Sequence, residues 1–134
     1  MKSVGILTLW ASLVHHCIGF GVTESGDANT LANAIFSGPG ITIIQASFSG
    51  ASVSSGTFTD GPFGIGSGAI LTSGAAVGAL PGGDHYVNNG APGSDTYCGT
   101  NTFNAAILTV DVLVQPGYAG IDFEYILASE EVGG

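Results

Sequence analysis

The chain reads as a mainly β module, an antiparallel sandwich-like fold with one short N-terminal helix. Three observations predict this class. Its 134 residues suit one domain. Twenty-three glycines among many Ser, Thr and Ala favour short strands and tight turns, because Gly inside a helix costs about 1 kcal/mol relative to Ala. Two-residue alternation of β-branched and polar residues recurs toward the C-terminal end.

Residues 1–21 read as an export signal and 22–134 as the β-rich domain. Lys2 supplies a minimal positive start, and "VGILTLWASLV", Val4 to Val14, is an apolar core of signal length, too short to span a bilayer comfortably. Gly19 and Gly21 occupy the −3 and −1 positions of a cleavage before Val22, with cleavage after Gly19 as the alternative. Cys17 in "VHHC" lacks the small residues that precede a lipidated cysteine, so Cys98 is the one cysteine expected in the exported chain.

In "DANTLANAIFSG", Asp27 is placed as a cap, Leu31, Ala34 and Ile35 recur at helical spacing, and Gly38 and Pro39 stop the helix. "ITIIQASF", Ile41 to Phe48, is β-branched and glycine-bounded, hence a strand. "SGASVSSGTFTDGPFGIGSG" reads as a turn-rich loop with Phe58, Phe63 and Ile65 as its anchors, and "AILTSGAAVGAL" opens as another short strand. Within this region "GIGSGA" matches a dinucleotide-binding pattern. That chemistry needs a strand before the glycines and a helix after them, so a glycine turn entering a strand is the better reading.

Pro81 to Asn104 forms a polar loop of more than twenty residues, a length usually tied to function or mobility. Beyond it, Leu108, Val110, Val112 and Val114 fall on one face of a strand, with Thr109, Asp111 and Gln115 on the other. Ile121, Phe123, Tyr125 and Leu127 repeat that alternation against Asp122 and Glu124. The short "QPGYAG" link predicts an antiparallel pair of these two segments.

Charge excludes whole classes of partner. The only Lys or Arg is Lys2, against ten Asp and Glu, for a net charge of −9. Nucleic-acid binding draws on cations meeting phosphates, so it is excluded, and anionic membrane surfaces are disfavoured likewise. No integral membrane segment is expected in the exported chain. Glu124 with Glu130 or Glu131 is the candidate carboxylate pair of a carbohydrate-active enzyme, although Glu130 and Glu131, adjacent on a strand, would point to opposite faces. Asp84 and Asp95, among the hard oxygen donors of the polar loop, are the candidate calcium ligands, with solvated loop acids as the competing reading. His85 alone reads as a surface residue.

Three stretches in order resemble the choice-of-anchor L family of exported and surface-attached proteins: "ANTLANAIFSGPGITIIQASFSG", "GTFTDGPFGIGSGAILTSGAA" and "AAILTVDVLVQPGYAGIDFEYILASEE". The last looks like that family's "Y.FASEEY" signature, and the resemblance covers about Thr23 to Glu131. Val132 stands where the signature has an aromatic, and the family's further strands and carboxy-terminal anchor do not follow, which implies a partial domain. The resemblance implies export and surface association without enzymatic activity. The resulting expectation is a secreted or cell-surface, non-enzymatic module for adhesion or matrix contact, with extracellular polysaccharide or protein as partner. Its rivals are the carbohydrate-active enzyme and a calcium-stabilised structural domain.

Overall fold

The computed structural model of the chain describes residues 19–83 and 87–129. In order they form β1 (Gly21–Glu24), α1 (Ala28–Ile35), β2 (Ile41–Ser49), β3 (Ser55–Thr59), β4 (Ser67–Leu71) and β5 (Ile107–Val114), with short 3-10 turns at Ser52–Ser54, Pro62–Gly64 and Ala76–Ala79. The fold is mainly β, as expected: one antiparallel sheet has the order β1-β3-β4, and a second pairs β2 with β5. Among the described residues α1 is the one α-helix.

Asp27 starts that helix. Its carboxylate accepts from the Thr30 backbone N–H at 2.8 Å and from the Thr30 hydroxyl at 2.6 Å, satisfying a donor that the first turn leaves without a partner. The Thr30 hydroxyl bond, followed by the backbone bond, holds the Asp27 carboxyl below the usual aspartate range. At the other end the Phe36 N–H donates to the Ala32 carbonyl, before Gly38 and Pro39 turn the chain into β2. Ala28, Leu31, Ala32 and Ile35 share the inward stripe, at the spacing of one helix face. Leu31 and Ala32 are fully buried, joined by Ala76 from the third 3-10 turn. The helix touches β2 and β5 on one side and β3 and β4 on the other, so it bridges the two sheets.

In the two-stranded sheet, Ile41 faces Val114, Ile43 faces Val112, Ala46 faces Val110 and Phe48 faces Leu108. These are the more buried positions of both strands, so the expected inward face of β5 is present and Asp111 points out. A bulge between Ile43 and Gln45 absorbs Ile44, which is exposed. The extra residue restores the phase, and Ala46 and Phe48 still face inward.

The three-stranded sheet contains β1 and β3, neither of which stands out in the sequence. It is tied by Ser55, whose hydroxyl donates to the Ser25 carbonyl at 2.8 Å while the Ser25 N–H donates to the Ser55 carbonyl at 2.9 Å. Ser54 is equally buried, and its hydroxyl donates to the Ala51 carbonyl at 2.6 Å, so both buried hydroxyls are paired. Phe58 lies half-buried against Phe20, with ring centroids 6.0 Å apart, and Ile65 is half-buried as well. Phe63 is no anchor: it is 89% exposed, on a backbone with φ of 59°. As expected, the glycine turn after it leads into β4.

The expected pairing of the two C-terminal segments is overturned. β5 pairs with β2, and residues 119–129 form no strand. The reason lies in the link. The Tyr118 N–H donates to the Gln115 carbonyl across Pro116 and Gly117, and Gly117 has φ of 95°, a type II turn with proline at its first central position. Tight hairpins use type I′ or II′ turns, because type II splays the flanking strands.

Gly56, the second residue of β3, lies so close to β1 that an added Cβ would collide with the Thr23 carbonyl oxygen and sit 3.0 Å from its carbon. Gly56→Ala is therefore expected to lower stability by about 1–3 kcal/mol, read as a drop in the urea midpoint. Gly66→Ala, with nothing within 4 Å, is expected to stay within about 0.5 kcal/mol. Equal midpoints for the two variants would refute the close approach of β1 to β3.

The Asp27 cap carries a pH signature. Its folded pKa is depressed, so its stabilisation is present above the unfolded pKa and is lost as pH falls through the folded one. Asp27→Asn keeps a cap that does not titrate, so the melting temperature of this variant should fall less on acidification than that of the parent chain. Parallel acid-side curves would contradict the assignment.

Candidate functional site

An open groove of about 490 Å³ lies between the Phe63–Ile65 turn and residues Phe123–Ile126. Its walls are set by two local causes. Phe63 holds a left-handed backbone that a bulky residue adopts only under constraint, and this turns its ring outward. On the other wall, the type II turn at Pro116–Gly117 sends the chain away from β5, and Phe123 comes to stack on Phe36 at a centroid distance of 6.4 Å. Tyr125 stacks in turn on Phe123 at 6.2 Å. Ile121, Phe123, Tyr125 and Leu127 are all exposed, Leu127 at 90%. Glu124 is the acid on the wall, and Asp122 is exposed beside it.

The candidate carboxylate pair is not assembled among the described residues. Glu124 is exposed on a segment without secondary structure, and Glu130 and Glu131 lie outside the described residues. The calcium candidates divide likewise: Asp95 is exposed on the polar loop, whereas Asp84, with His85, lies outside the described residues. Among the described residues no three His, Cys, Asp or Glu side chains gather around a common point.

The polar loop is pinned by its own side chains. Asn89 donates through Nδ2 to the carbonyls of Ser73 at 3.1 Å and Gly74 at 3.2 Å, while its Oδ1 accepts from the Ala91 N–H. A single antiparallel bridge joins Pro92 to Phe103. Thr102 accepts from the Ser94 N–H and donates to the Gly99 carbonyl, closing the tip that carries exposed Cys98. Between this loop and the end of β2 lies a second hollow of about 330 Å³, edged by Gly50, Asn89, Gly93 and Ala105. Among the described residues no carboxylate, histidine or cysteine lines it, and Ser49 is its one hydroxyl, without a base beside it.

The acids on the C-terminal segment were legible from the sequence, and their aromatic company was not. Alternating Phe123 and Tyr125 gave the signal for one face, but nothing near Phe36 or Phe63 announced that they would meet it. No described helix is long and apolar enough to cross a membrane.

Asn89→Ala removes three hydrogen bonds, each worth about 1 kcal/mol, and should free the loop locally. Chymotrypsin should then cut faster at exposed Tyr97 and Phe103, with the global melting temperature nearly unchanged. Unaltered cleavage would mean that Asn89 does not hold the loop. Comparison of the chain with protein-family models, with curated proteins and with solved structures finds no match.

Proposed function

We propose that the chain is a secreted or cell-surface, non-enzymatic β-rich module that makes adhesive or matrix contacts with extracellular polysaccharide or protein. The observation that carries this reading is the run of exposed Ile121, Phe123, Tyr125 and Leu127 beside exposed Phe63. A contiguous apolar strip on a soluble domain marks an interaction surface. The resemblance of three ordered stretches to the choice-of-anchor L family supports the same reading, as does the signal-like start of the sequence.

The fold bears on where an export signal would be cut. Gly21 pairs with Thr59, and Phe20 packs on Phe58. Cleavage before Val22 would remove both contacts, whereas cleavage after Gly19 keeps them. The exported protein is therefore expected in the medium or on the cell surface with Phe20 as its first residue, as read by N-terminal sequencing. It is further expected to attach to the extracellular material of the producing culture. Retention of the uncut chain inside the cell, or failure of the purified protein to attach, would remove the proposal.

A further inference from the structure

Ile121–Leu127 is a strand's length of backbone without a strand beside it. Among the described residues, 119–128 take part in no backbone–backbone hydrogen bond. Phe123 and Tyr125 nevertheless stack 6.2 Å apart, close to the roughly 6.6 Å that two residues of extended chain span. An extended chain alternates its side chains, which sets Phe123 and Tyr125 on one side and Asp122, Glu124 and Ile126 on the other, with Phe123 to Ile126 all bordering the groove. Such an edge is a template for a further strand, since backbone pairing supplies affinity and alternate side chains supply selectivity.

Charge decides what that strand is. The described residues contain no Lys or Arg, and the only one in the sequence is Lys2. A second copy of Ile121–Leu127 that kept the apolar faces together would bring its acids to the side of Asp122 and Glu124, and like charges placed opposite each other across strands are destabilising. The geometry points to a foreign protein segment, extended and alternating basic with apolar side chains, that adds as a strand along Ile121–Leu127. Its apolar side chains enter the groove of Phe63 and Ile65, and its cations meet Asp122 and Glu124. This assignment deepens the adhesive reading and rests on it, naming the partner class of the same surface.

Three labelled peptides titrated into the purified chain test it: Lys-Val-Lys-Val-Lys-Val-Lys, an equally charged version with proline at each valine, and a glutamate version. The Lys-Val peptide should bind, more weakly as salt rises. Binding should fall about tenfold in an Asp122→Asn, Glu124→Gln double variant, the loss expected for two exposed charge contacts, with melting unchanged. Equal binding of the proline peptide would reduce the effect to unspecific charge attraction and overturn the assignment. So would dimerisation without peptide that protects the 121–127 amides from hydrogen exchange. Attachment to matrix by a chain that ignores the Lys-Val peptide overturns this assignment alone, whereas peptide binding without attachment removes the adhesive reading and leaves the strand site standing.

Discussion

The two sheets meet through Leu31 and Ala32. A two-stranded sheet and a three-stranded sheet of four- and five-residue strands are each marginal in water, and eight residues are too few for a helix to persist alone. Burying the inward stripe of α1 between them addresses all three weaknesses together. Leu31 is fully buried, which contributes about 1.5–3 kcal/mol, a large share for a domain whose remaining core positions are half-buried or small. Everything that places the groove follows from this wedge. Phe36 ends the same helix, and its ring is where Phe123 comes to rest.

The small core also explains the polar economy of the fold. Ser54 and Ser55 occupy buried positions where a larger domain would place aliphatic side chains, and each is tolerated because its hydroxyl closes on a nearby carbonyl. With no cationic side chain among the described residues, the fold has no ion pairs to orient its loops there. Asparagine and threonine amides and hydroxyls perform that task instead, as in the Asn89 and Thr102 bonds of the polar loop.

Legibility followed the density of apolar residues. The helix, β2, the closing half of β4 and the inward face of β5 were readable because β-branched or helical periodicity ran long enough to declare a face. β1 was hidden because its four residues straddle the expected cleavage site, too short to show a pattern. β3, "SGTFT", was hidden among serines and glycines that look like a loop and earn strand status only by pairing on both sides. The misplaced pairing of Ile121–Leu127 had a readable cause, since Pro-Gly at the centre of "QPGY" specifies a turn of the wrong twist for a hairpin. The acids of the candidate site could be read from the sequence. Its aromatic wall could not, because Phe36, Phe63 and Phe123 are joined only by tertiary packing across long stretches of chain.

The bulge in β2 leaves that strand with one surplus residue. Deleting Ile44 would give an unbroken alternation from Ile41 to Phe48, with the same side chains directed inward. Loss of Ser47, beyond the bulge, would instead turn Phe48 to solvent. Shortening of this strand is thus confined to the bulge, where one residue can be lost without disturbing the face that α1 covers.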